Sequence, residues 1–234
     1  MSLDYRLAPE TKLPEIFQDV EDGIAWVRRD GARLFRVDPR RIAVMGSSAG
    51  GYLTLTAGFR VQPRPDVLVS FWGYGDLVGE WLTKPSRYPR HWQVTMSEED
   101  AKRVVAGPPV SNAGDRKGDG SAFARFCRQK GLWPKAVSGW DPQTEAEKFK
   151  PYMAYFNVSK DYPPTMLVHG SNDTDVPYEQ SLLMSVQLTK FGIEHQLIPL
   201  CGQEHGFGGK DDQMLRTMFQ SAVAFIDRHV KVSR

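Results

Sequence analysis

Arg41-Ile42-Ala43-Val44-Met45-Gly46-Ser47-Ser48-Ala49-Gly50-Gly51 is an apolar run that passes directly into a Gly-x-Ser-x-Gly pattern. Tyr52-Leu53-Thr54-Leu55-Thr56-Ala57 then continues it as an apolar, small-residue helix. The order predicts a strand, a tight turn and a helix, with Ser48 at the turn. Side chains at Gly46 and Gly50 are expected to clash there, and the first N–H groups of the helix, beginning with Ala49, point to where an oxyanion would develop. Ser48 is thus a candidate nucleophile and the Ala49 N–H a candidate oxyanion donor. The pattern also occurs in ordinary strand–helix loops, but Asp38-Pro39 punctuates the approach and the strand ends at the motif.

A serine hydroxyl needs a base to take its proton, and the base needs a carboxylate to hold it. Pro164-Thr165-Met166-Leu167-Val168-His169-Gly170 reads as a buried strand followed by the loop Ser171-Asn172-Asp173-Thr174-Asp175-Val176-Pro177. A helix, Tyr178 to Phe191, and a strand, Ile193 to Leu200, lead to Cys201-Gly202-Gln203-Glu204-His205-Gly206-Phe207-Gly208-Gly209. The chain order Ser48, Asp173, His205 is the one used by hydrolases built on an elbow of this type.

With those residues in view, the chain resembles the α/β-hydrolase esterases, close to the hormone-sensitive-lipase-like and acetyl-esterase-like groups. Asp4-Tyr5-Arg6-Leu7-Ala8-Pro9-Glu10, the elbow and Glu204-His205-Gly206-Phe207 carry the likeness over nearly the whole chain. The acid loop is more similar to that of bacterial esterases and prolyl-oligopeptidase-type hydrolases, which puts the triad carboxylate on Asp173 with Asp175 as its rival. The resemblance implies a serine-dependent carboxylic-ester hydrolase without a cofactor, acting on a small-molecule ester. A peptidase or amidase is the enzymatic alternative, and a non-catalytic binding protein is the alternative from another class.

In that family a His-Gly-Gly-Gly-type loop supplies further oxyanion donors upstream of the Tyr-Arg-Leu-Ala-Pro-Glu segment. Only 47 residues precede Ser48. The resemblance therefore implies an amino-terminal truncation and impaired catalysis, a naturally shortened hydrolase being the alternative. Met1-Ser2-Leu3 reads as an added start. No localisation is assigned.

Helix and strand alternate outside one stretch, which predicts an α/β fold with a mostly parallel sheet flanked by helices. Leu13, Phe17, Val20, Ile24 and Val27 mark a helix that should stop at Gly31, and Val67 to Trp72 reads as a fully buried strand. Met214, Leu215, Met218, Phe219, Ala222, Phe225 and Ile226 mark a terminal helix. Residues 4–75 and 163–234 are expected to form a partial α/β-hydrolase core holding the family's strands 5 to 8. Residues 76–162, with Trp81, His91, Trp92, Trp133 and Trp140, are expected to form an inserted cap over the site. Short helices are expected from Ser97 to Val105 and from Asp141-Pro142 onward. The Ile42–Met45 strand should be left as an apolar edge, which predicts a homodimer.

The chain has 234 residues, 41% hydrophobic and 25% charged, as in an ordinary globular domain. A net charge of +2 is too small to point to nucleic acid, and no apolar run is long enough to span a membrane. Cys127 and Cys201 read as free thiols. Cys201 and His205 lie four apart in a Gly-rich loop without further ligands, so no metal is assigned. His169, at a strand end, reads as a buried, hydrogen-bonded residue rather than a base, and His91 and His195 as surface or cap residues.

Overall fold

The computed structural model describes residues 1–93, 95–104, 106–207 and 212–230. The chain forms two compact units, one of Met1–Gly23 with Leu77–Tyr152 and one of Ile24–Asp76 with Met153–Arg234.

The second unit holds a sheet of β1 (Ala43–Ser47), β2 (Val67–Phe71), β3 (Thr165–Gly170) and β4 (His195–Leu200), all parallel and adjacent in chain order. Helix α2 (Ala49–Arg60) connects the first two strands and α8 (Glu179–Lys190) the last two, while α9 (Asp212–His229) follows the sheet. Alternation along β2 divides the core into two layers. Val67, Val69 and Phe71 pack with Met166, Val168, Met218 and Phe225, on the α9 side. Leu68 packs with Leu55, Leu167, Met184 and Leu188, on the side of α2 and α8. This is a parallel α/β sheet with helices on both faces. The central strands β2 and β3 are buried at every residue, which is why they lack the polar–apolar alternation of a half-exposed strand. Among the described residues β1 pairs with β2 alone and is a sheet edge, with Met45 half exposed.

In the other unit, α4 (Glu98–Val104) and α5 (Gly120–Lys130) pack Ala101, Val104, Phe123, Phe126 and Cys127 into a small core. Ser97 caps α4 by accepting the Asp100 N–H at 3.0 Å. Val105, the expected end of that helix, lies outside the described residues. The amino-terminal segment is held by paired charges. Arg116 donates to both oxygens of the nearly inaccessible Glu10 carboxylate at 2.6 and 2.7 Å and to the Ala8 carbonyl at 2.9 Å. Arg6 grips Asp19 from both its backbone and its guanidinium.

Two local expectations need correction. Helix α1 spans Leu13–Phe35 and runs through Gly31. Ala32, Arg33 and Leu34 offset that glycine's low propensity, and the helix ends where Arg36 takes a left-handed φ of 55°. Asp141-Pro142 opens a single turn, not a helix. Glu145 N–H donates to the Asp141 carbonyl while the Glu145 carboxylate accepts the Asp141 N–H, both at 2.8 Å. The first is a helical-type bond that is not repeated, the Asp141 side chain accepts the Gln143 N–H at 2.9 Å in a competing turn, and a 3-10 segment, Ala146–Tyr152, follows. His91, expected at the surface or in the cap, is buried within the unit that holds Leu77–Tyr152, with Nδ1 2.6 Å from Ser86 Oγ.

Candidate active site

The carboxyl ends of β1, β3 and β4 carry the three residues singled out above, all within one unit. Ser48 occupies the turn between β1 and α2 with φ 54° and ψ −120°, a backbone region that L-residues avoid and the surrounding structure must enforce. Its N–H donates to the Phe71 carbonyl at 3.0 Å, tying the turn to the end of β2. A Cβ at Gly46 would overlap the Gly50 carbonyl and lie 2.9 Å from Thr54 Oγ1, so that glycine is obligatory. Gly50 corrects the sequence reading, because a Cβ there would meet nothing within 4 Å. The crowded neighbour is Gly51, whose Cβ would come 2.9 Å from both Gly73 Cα and the Phe71 carbonyl. Ala49 opens α2, so its N–H belongs to the first turn, which has no partner within the helix.

His205 follows β4 in a short 3-10 turn that bends at Gly206, φ 78°. Its Nδ1 lies 2.7 Å from Asp173 Oδ2 and its Nε2 3.1 Å from Ser48 Oγ. A carboxylate can only accept, so Nδ1 carries the proton and Nε2 is left to accept from the serine hydroxyl. Asp175 takes a different place, with Oδ2 3.7 Å from Nε2, and its backbone N–H donates to Asp173 Oδ1 at 2.8 Å.

Asp173 is 5% exposed. Burial by itself would raise its pKa. Donated hydrogen bonds from His169 and His205, the positive charge of His205 when protonated, and the Val176 N–H at 2.8 Å overcome that and hold the carboxyl well below the usual range. His169 is fully buried. Its Nε2 faces two acceptors, the Val176 carbonyl at 2.9 Å and Asp173 Oδ2 at 3.3 Å, so Nε2 is the protonated nitrogen and Nδ1 accepts from Ser181 Oγ at 2.7 Å. A hydroxyl in contact with an imidazole that is itself held by an ionised carboxylate can pass its proton to that imidazole.

A family profile described as alpha/beta hydrolase fold matches residues 1–208. The chain belongs to the α/β-hydrolase fold family. Over 260 residues it is 25% identical to the non-reducing polyketide synthase pkbA of Emericella nidulans, a match covering 88% of this chain and 10% of that protein. Over 70 residues it is 41% identical to the arylacetamide deacetylase of Oryctolagus cuniculus, covering 30% of this chain and 18% of that one. This α/β hydrolase therefore spans a minor part of the length of these curated relatives. Its fold is similar to that of the acetyl ester-xyloside bifunctional hydrolase from Caldicellulosiruptor lactoaceticus, with a TM-score of 0.62 and 24% identity over 94% of this chain and 70% of that one.

Two residues of this α/β hydrolase that adjoin the site take their places there through tertiary contacts. Trp72 reads in the sequence as the last residue of a buried strand. It instead leaves β2 with φ 38° and sets its ring edge-on to the His205 imidazole, centroids 5.9 Å apart. Glu204, the first residue of the histidine-loop motif and assigned no role from the sequence, accepts from His205 N–H at 2.8 Å and from Thr174 N–H at 3.3 Å. The hydrophobic stripe on α9 made that helix legible, whereas a carboxylate bonding across two loops has no period to read. Among the described residues no helix is long and apolar enough to cross a membrane.

Proposed function

We propose that the chain is a serine-dependent carboxylic-ester hydrolase, with Ser48 as nucleophile, His205 as general base and acid, and Asp173 orienting the imidazole. The single observation that carries this reading is the continuous contact from Ser48 Oγ to His205 Nε2, 3.1 Å, and from His205 Nδ1 to Asp173 Oδ2, 2.7 Å, at a strand–helix elbow. Ser48 Oγ attacks the ester carbonyl while Nε2 takes its proton, and the carbonyl oxygen becomes an oxyanion facing the Ala49 N–H. The C–O bond breaks as Nε2 returns the proton to the departing alcohol, leaving an acyl-serine. Water then gives up a proton to Nε2, adds to the acyl carbon, and releases the carboxylic acid and the free serine. No cofactor enters this scheme.

Amide hydrolysis is the second reading, favoured by one observation: the 41% identical segment belongs to an arylacetamide deacetylase. Short-chain nitrophenyl esters assayed against acyl and peptidyl nitroanilides separate the two. Ester turnover that disappears in Ser48→Ala is expected. Faster turnover of anilides would assign amide chemistry, and ester turnover that survives in Ser48→Ala would overturn the nucleophile.

A second copy of the chain is the partner we infer for the β1 edge, through a two-fold axis that sets Met45 near its own symmetry mate. The support is the half-exposed Met45 on an edge strand without proline or charge between Ala43 and Ser47.

A further inference from the structure

Beyond β3 and β4 the two loops stay joined by a ladder that follows the strand register for one rung and then leaves it. Ser171 N–H donates to the Leu200 carbonyl at 3.0 Å, Gly202 N–H to Ser171 Oγ at 2.8 Å and Asn172 N–H to the Gln203 carbonyl at 3.0 Å. The loops are also close-packed, since a Cβ at Gly170 would lie 2.8 Å from the Gln203 carbonyl carbon. The last rung is made by a side chain. Glu204 Oε2 accepts the N–H of Thr174 and of His205, and Oε1 accepts from the Thr174 hydroxyl. Thr174 adjoins Asp173, and Glu204 adjoins His205.

We propose that Glu204 and Thr174 form a positioning clamp that sets the Asp173–His205 hydrogen bond, an inference that rests on the hydrolase reading for its effect on rate but not for its effect on geometry. Among the described residues Glu204 is the side chain that accepts the His205 N–H. His205 sits on a three-residue turn that bends at a glycine, and Trp72 meets its ring only edge-on. A carboxylate fits this place because it offers several lone pairs to donors from two loops at once, and a hydrogen bond to a charged acceptor is stronger than a neutral one. The Thr174 hydroxyl gives the rung its second point of attachment, so the acid loop can neither slide along the histidine loop nor twist against it. Misplacing a reacting group by about 1 Å costs on the order of 100-fold in rate.

The test compares Thr174→Val, which keeps the shape and removes the donor, with Thr174→Ser, which restores it, and with Glu204→Gln. The first readout is the far-downfield NMR proton of His205 Nδ1 in the Asp173 hydrogen bond, and the second is kcat and KM on a short-chain nitrophenyl ester. In Thr174→Val that proton is expected to shift or broaden away, with kcat down on the order of 10- to 100-fold at unchanged KM, and Thr174→Ser is expected to recover both. Glu204→Gln should follow Thr174→Val and carries the test if the valine variant does not fold. Wild-type NMR and kcat in both Thr174→Val and Glu204→Gln would overturn the clamp. Absence of ester turnover in the wild type, with the proton responding as expected, would sink the hydrolase reading and leave the clamp standing.

Discussion

His205 Nδ1 meets Asp173 Oδ2 at 2.7 Å, while the other oxygen of the same carboxylate accepts the N–H groups of Asp175 and Val176 at 2.8 Å each. One carboxylate therefore builds its own loop and holds the imidazole at the same time. The two tasks share a residue, so they are lost together.

Asp173→Asn is expected to lower kcat on the order of 10⁴-fold, because an amide in this place favours the wrong imidazole tautomer. Asp175→Asn, on the Nε2 side and without the Nδ1 contact, is expected to lower it by less than about tenfold. Steady-state ester kinetics on the two variants provide the check, and equal losses would remove the distinction between the two acids.

Acid should weaken the fold through the same group. The Asp173 pKa is depressed in the folded chain, so its contribution is fully present above the unfolded value near about pH 4 and is lost as pH falls from there toward the lower folded value. Melting temperatures of wild type and Asp173→Asn should therefore differ most near neutrality and converge below about pH 4. A difference that stays constant on acidification would contradict the linkage.

Gly46→Ala is expected to destabilise by about 1–3 kcal/mol or to prevent folding, since the added methyl overlaps backbone. Gly50→Ala, in open space within the first turn of α2, is expected to be neutral or to stabilise by up to about 1 kcal/mol. Denaturant titration of the pair decides the matter, and a harmless Gly46→Ala would refute the elbow packing.

Sedimentation at tens of micromolar is expected to find a dimer that Met45→Lys converts to monomer, because a like charge would then face itself across the two-fold axis. A wild-type monomer would dispose of the β1 interface.

What could be read from the residues alone followed from how each element is specified. β2 and β3 were legible because both faces are buried and every position but His169 is apolar or small. The Ser48, Asp173 and His205 positions were legible because the elbow glycines and the strand ends frame them. The extent of α1 was not, since the left-handed Arg36 that ends it has no residue preference to signal it. Nor was the relative importance of Gly50 and Gly51, which depends on how closely Gly73 approaches from another segment. Trp72 and Glu204 act through contacts made only after the sheet has formed.

The φ of 54° at Ser48 also means that, on the proposed reading, the chain holds its nucleophile at some expense to its own stability. Such a conformation costs an L-residue about 1–3 kcal/mol and costs glycine almost nothing. Ser48→Gly should therefore melt higher than wild type while losing all turnover. On this view a sturdier residue at position 48 would leave a silent protein, the trade between stability and activity being confined to one side chain.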